Sequence, residues 1–267
     1  MKVDTNGNII LEFSSDINMR EIYCKIMNDE VFENRRCPQL IPEQDLPDGL
    51  DYVELCLNGE ITGVITRKGL TADTILKILE GNWKGNNKII DISKESSTLQ
   101  CLGVDSNVSL IYSIAYMISI DLGIRCPPII IRKKETILGG DSITYRGTCF
   151  NDNNLKTTSI DIIEKEGQEI VSLSACLAHE MRHCWQHETD PIMYFEDYKY
   201  YLDFPQKKME KYYLQPAEID AYAYESQYLN AITGKNIDSL TSYYKANRAI
   251  KERMAQIGES HIPCLFS

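Results

Sequence analysis

The stretch Ala178-His179-Glu180-Met181-Arg182-His183-Cys184-Trp185-Gln186-His187 decides how this chain is read. It carries the pattern His-Glu-x-x-His inside a run, residues 168–187, whose spacing predicts a helix. Leu173, Leu177, Met181 and Cys184 or Trp185 mark a buried stripe, while Ser172, Ala175, Cys176, His179 and His183 line the neighbouring face. Residues four apart stack on a helix, so His179 and His183 present their rings to one point, where a divalent metal can bridge them. Zinc suits a pair of neutral imidazoles, and catalytic zinc takes three protein ligands and leaves its fourth position to water. Glu180 is turned by about 100° from His179 around the helix axis, which sets its carboxylate beside the metal water, the place of a general base. The competing reading is a surface helix with two unrelated histidines, and a third ligand decides between the two.

Outward from that helix, composition narrows the class. With 267 residues, 43% hydrophobic and 25% charged, the chain can bury one large core or two small ones. A formal net charge of -11 argues against nucleic acid or an anionic membrane as partner, because both demand a basic surface. The most apolar run, residues 110–124, is too short and too polar to span a bilayer, with Tyr112, Ser113, Tyr116, Ser119 and Asp121 inside it. Residues 1–6 have no apolar core of the kind a secretion signal needs, so the expected location is cytoplasmic. The nine cysteines are dispersed without a Cys-x-x-Cys pair and read as free thiols in a reducing compartment; Cys176 and Cys184 on the helix read as packing.

Residues 1–100 read as a small α+β module. Residues 8–13 suggest a strand and 15–32 a helix, followed by a proline-rich loop with Pro38, Pro42 and Pro47. Residues 52–57 and 60–67 flank Asn58-Gly59, a hairpin turn in which both central residues tolerate positive φ. Thr71 can cap a helix over 72–80 that Gly81 ends. Two roles stand open for this module, substrate recognition and simple cover for the second domain.

The second domain, residues 101–234, opens with a buried helix. Val108, Ile111, Ala115, Ile118 and Leu122 repeat at steps of three and four, and Gly123 stops it. Pro127-Pro128 lead into the apolar strand of Ile129, Ile130 and Ile131. A turn at Gly139-Gly140-Asp141 precedes a strand over 143–150, and another over 151–154 precedes a strand over 157–163. If residues 143–150 form the sheet edge, a peptide could add to it through main-chain hydrogen bonds; an ordinary hairpin is the alternative. A connection rich in tyrosine follows, with Tyr194, Tyr198, Tyr200, Tyr201, Tyr212 and Tyr213, read as packing.

Gln215-Pro216-Ala217-Glu218-Ile219-Asp220-Ala221-Tyr222-Ala223-Tyr224 opens the next helix, with proline in the first turn and Gly234 at the end. Glu218 in the first turn is favoured by the helix dipole alone. Yet Glu218 and Ala221 also form Glu-x-x-Ala downstream of His-Glu-x-x-His, and Ala221 and Ala223 allow close packing on the metal helix. On these motifs residues 102–234 resemble the small gluzincin-type, zincin-fold zinc metallopeptidases. In that family a buried helix, a short mixed sheet with an antiparallel edge strand, the active-site helix and a glutamate helix follow in this order. The resemblance implies His179, His183 and Glu218 as ligands of one zinc ion per chain and Glu180 as the catalytic base. Some members orient a histidine with an aspartate four residues after the ligand glutamate; here that position is Tyr222, so the orienting partner is unassigned. His187 does not match the third histidine of metzincins, which comes ten residues after the first.

The expected function is therefore metal-assisted peptide-bond hydrolysis on a peptide or protein substrate, with zinc acidifying water and Glu180 moving its proton to the leaving amine. Tyr222, one helical turn after Glu218, is the first candidate donor to the oxyanion, ahead of Tyr224, His187 and His261; a buried tyrosine bonded to a carbonyl is the alternative. Two other functions compete: an inactive peptidase-like binding or regulatory module, and a toxin or effector peptidase with one dedicated target. Residues 235–267 read as a helical tail, with a helix over 239–256.

Overall fold

The computed structural model describes residues 2–3, 9–10, 38–102, 106–127, 129–133, 147–151, 157–164, 169–189, 209–236, 241 and 243–266. The helix expected over 15–32, the turn at Gly139-Gly140-Asp141 and the tyrosines from 194 to 201 lie outside these residues. The chain is mixed α+β and divides into two compact units, Met1–Ser109 and Leu110–Ser267. Among the described residues no helix is long and apolar enough to cross a membrane.

In the first unit, β1 (Lys2–Val3) and β2 (Ile9–Ile10) pair antiparallel. A separate four-stranded sheet contains β3 (Gln39–Gln44), β4 (Tyr52–Leu57), β5 (Glu60–Arg67) and β6 (Asn87–Asp91) in the order β3-β5-β4-β6. The hairpin between β4 and β5 turns at Asn58 and Gly59, with φ of 53° and 82°, as the sequence pattern requires. Thr71 caps α1 (Ala72–Leu79) by accepting from the Thr74 N–H at 3.3 Å, and Gly81 follows at φ 71°. Ile75, Ile78 and Leu79 of this helix pack on Leu40, Tyr52 and Val64.

One expectation fails here. The segment around Pro42 was expected to be a loop, and it is instead a strand parallel to β5. Its pairing slips between Ile41 and Gln44, and β3 lies at the edge of the sheet, two circumstances in which a residue without an N–H is tolerated in a strand. Strand β6 and the short helix α2 (Ser96–Cys101) carry no periodic signal and were not expected.

The second unit holds the candidate site. Helix α3 (Ser106–Leu122) ends at Gly123 with φ 68°, and its Tyr112 hydroxyl donates to the Ile129 carbonyl at 2.9 Å, tying it to the first strand of the next sheet. That sheet comprises β7 (Ile129–Lys133), β8 (Gly147–Asn151) and β9 (Thr157–Glu164) in the order β7-β9-β8. Strand β7 runs parallel to β9, and β8 is the antiparallel edge strand. Helix α4 (Ile170–Thr189) packs on β8 and β9. It is buried around its whole circumference from Leu173 to Cys184, whereas Ser172, placed by its spacing on the neighbouring face with His179 and His183, is exposed.

After the short helix α5 (Met209–Tyr213), helix α6 (Pro216–Thr233) packs along α4, and Ala217, Ala221 and Ala223 are buried to 4%, 0% and 0% exposure. Small side chains let the two backbones approach. Gly234 closes α6 in the left-handed region, φ 62°. The tail forms α7 (Tyr244–Ile257), which packs against α6 and begins five residues later than its pattern suggested. The N–H groups of Leu265 and Phe266 both donate to the Ile232 carbonyl at 2.8 Å, anchoring the last residues to α6.

Candidate metal centre

Two neighbouring helices build the centre. His179 and His183 sit one turn apart on α4, and Glu218 reaches them from the first turn of α6. The Nε2 atoms of the two histidines are 3.2 Å apart. Glu218 Oε2 lies 3.4 Å from His179 Nε2, and Oε1 lies 3.6 Å from His183 Nε2. A tetrahedral ion with ligands at about 2.0–2.1 Å separates neighbouring donors by about 3.3 Å, so the spacing matches what such an ion would impose. The three residues form a buried group that could hold a metal ion.

Their hydrogen bonding points the same way. His183 Nδ1 is 2.9 Å from Gln186 Oε1. The amide orientation of Gln186 is pinned from its other end, where Nε2 donates to the Ala217 carbonyl at 2.9 Å and to Asp220 Oδ2 at 2.8 Å. An amide oxygen only accepts, so in its neutral form His183 carries its proton on Nδ1 and turns a lone pair on Nε2 toward the centre. On His179, Nδ1 lies 3.3 Å from Glu225 Oε2, off hydrogen-bonding alignment but close enough for the carboxylate to favour the same tautomer. Two Nε2 lone pairs and the buried Glu218 Oε2, which has no hydrogen-bond partner, thus converge. Burying acceptors against one another is costly unless a cation lies between them.

The electrostatics agree. Burial by itself disfavours protonated His179, yet Glu218 and Glu225 outweigh it and raise its pKa well above the ordinary 6.5. His183 rises for the same reason, through Glu218. Burial likewise works against an ionised Glu218, but the two histidines beside it hold it far below the usual carboxylate range. The position calls for positive charge.

Glu180 is 8% exposed, and burial pushes its pKa up, opposed by the two histidines and by a main-chain hydrogen bond from Cys149 in β8. Its side chain lies against that edge strand at Gly147. A Cβ on Gly147 would sit 2.8 Å from Glu180 Cγ and 3.1 Å from Oε1, so only glycine leaves the carboxyl group its place.

Tyr222 packs its ring against His179 at 4.5 Å between centroids and against Tyr213 at 5.5 Å. Burial, then the charge of Glu218, raises its pKa, so the phenol keeps its proton. Of the weaker donor candidates, Tyr224 gives its hydroxyl hydrogen to Asp121 Oδ2 at 2.7 Å, and His261 is exposed and held through its main-chain N–H to Asp121 Oδ1. His187 is buried in the last turn of α4.

Sequence reasoning missed five contributors. Asp220 does not ligate, but it anchors Gln186 and binds Arg182 through two bonds of 2.7 and 3.1 Å. Arg253 of α7 adds a third at 2.8 Å. Gln186, Glu225 and Gly147 were not singled out. Gln186 had a legible signal, its place three residues after His183 on the same helix; the others depend on contacts between elements far apart in sequence.

Comparison of the chain with protein-family models, with curated proteins and with solved structures yields no match.

Proposed function

We propose that this protein is a zinc-dependent peptidase of zincin-like architecture, in which His179, His183 and Glu218 hold one zinc ion and Glu180 is the general base. A zinc ion held by these three residues would supply Lewis acidity, acidifying water toward a pKa of about 7 and polarising a carbonyl. The chain's own residues do the rest. Glu180 takes the proton of the attacking water and delivers it to the nitrogen of the leaving amine. Tyr222, protonated and beside His179, is the proposed donor to the oxyanion. The edge of β8 offers main-chain groups to an extended substrate next to Glu180.

The observation that carries this reading is the convergence of the two Nε2 atoms, one of them oriented through Gln186, and a Glu218 oxygen that no aligned hydrogen bond reaches, with the buried carboxylate of Glu180 immediately adjacent. A purely structural metal site has no use for Glu180. The test is elemental analysis of the dialysed full chain beside Glu218→Ala and His183→Ala. One zinc per chain, lost in both variants, supports the site and leads to a search for cleaved peptides in a mixed peptide pool. A native chain that takes up no zinc would overturn the proposal.

A further inference from the structure

We infer that Cys149 and Cys184 form an oxidisable pair, a modification site at which exchange with a small-molecule disulfide closes a protein disulfide between the edge strand β8 and helix α4. Their Sγ atoms are 3.3 Å apart although the residues are 35 positions apart in sequence. Cys149 stands opposite Ile160 of β9, and the Ile160 side chain is fully buried on the sheet face that both share. Cys184 is 1% exposed and is within hydrogen-bonding distance of the Glu180 carbonyl, at 3.5 Å. The pair carries no disulfide in this structure.

The difference in exposure sets the order of events. Cys149 is partly exposed and meets an oxidised glutathione first. Its sulfur attacks one sulfur of that disulfide and loses its proton, and one glutathione thiol leaves. Cys184 then attacks the Cys149 sulfur of the mixed disulfide and loses its own proton, and the second glutathione thiol leaves. Two protein thiols have been oxidised to one disulfide, and one glutathione disulfide has been reduced to two thiols. Closing the sulfurs to about 2.05 Å draws β8 toward α4, and it removes the Cys184 hydrogen from the Glu180 carbonyl. Cys149 also supplies the main-chain hydrogen bond to the Glu180 carboxylate, so the linkage bears on Glu180 at both its main chain and its side chain. In a reducing compartment such a bond is transient and reports the redox state.

The test reads the covalent bond and does not depend on catalysis. The purified full chain is incubated with oxidised glutathione, its remaining thiols are alkylated, and its peptides are mapped by mass spectrometry. The expected product is a cross-linked peptide pair containing residues 149 and 184, lighter by two hydrogens and released by dithiothreitol. A rise in the thermal midpoint should accompany it, because a cross-link closing this loop restricts the unfolded chain. Cys149→Ser should show neither change; Cys184→Ala serves as the second variant, because it keeps an apolar side chain in the core. A linkage through Cys176, whose Sγ lies near Gly147 on the same helix face, would overturn the assignment. So would modification confined to the exposed Cys101 and Cys264.

Discussion

Gly147 occupies a position where a single methyl group would collide with Glu180. The Cβ would meet Cys176 Sγ at 3.0 Å as well as the Glu180 side chain, so neither neighbour can yield without disturbing the other. Gly147→Ala is expected to lose about 1–3 kcal/mol of stability, the usual cost of overpacking, and, under the proposed assignment, to bind metal as the native chain does, since none of the three proposed ligands is touched; chemical denaturation and elemental analysis check both. Glu180→Gln is nearly isosteric and removes only the base. Under the proposed mechanism it retains zinc and lowers hydrolysis by about 10²–10⁴-fold, measured on whichever peptide the native chain cleaves. Full activity in that variant would sink the base assignment.

At the scale of elements, the decisive feature is the seam between α4 and α6. The order His183, Gln186, Asp220 links the two helices through hydrogen bonds of 2.9 and 2.8 Å, and Arg182 and Arg253 complete the neutralisation of Asp220. Arg182 is itself buried, with its guanidinium 3.6 Å over the Trp185 ring. Gln186→Ala leaves His183 without its acceptor and should weaken metal binding by about 10–100-fold, read by competition with a chelator. The ion pair predicts a pH dependence. Burial alone would raise the Asp220 pKa, but bonding and charge from Arg182, joined by Gln186 and Arg253, hold it below the ordinary 3.8. A depressed native value means that its contribution is fully present above pH 3.8 and is lost as pH falls through the lower native pKa. Asp220→Asn should therefore be less stable near neutrality, by about 3–5 kcal/mol for a broken buried pair, and should show a shallower loss of stability in acid than the native chain.

At the scale of the whole molecule, every residue of the centre and of the network around it belongs to the unit Leu110–Ser267. The tail is part of that unit. Arg253 reaches Asp220, Gln227 Nε2 donates to the Met254 carbonyl at 3.1 Å, and Ser260 and the His261 N–H both bond Asp121 of α3. A fragment of residues 103–267 is expected to fold alone and to bind one metal ion with the affinity of the full chain. Circular dichroism and elemental analysis of the fragment decide this; an unfolded fragment would show that the first unit is needed for stability. Removing residues 243–267 from it should lower the thermal midpoint, because Asp220 loses one of its two arginines and α6 loses its cover.

What the sequence determined by itself is local. The i, i+4 spacing placed His179 and His183 on one helix face, the proline and glycine at the ends of α6 set Glu218 in its first turn, and Asn58-Gly59 dictated a hairpin, each because the signal lies within a few residues of its effect. The strands β7, β8 and β9 were legible in the same way, as apolar runs punctuated by turns, whereas their order β7-β9-β8 was not. Tertiary structure alone decided what those residues meet. Glu225, seven residues beyond Glu218, faces His179 only because α6 packs along α4; Gly147 matters only because β8 lies on Glu180; and Cys149 touches Cys184 across the same contact. Pro42 entered a strand because an edge position and a slip in pairing tolerate its missing N–H. A sequence records which groups a helix turn brings together, whereas the acceptor that orients a histidine and the space that admits a carboxylate depend on how separate elements pack.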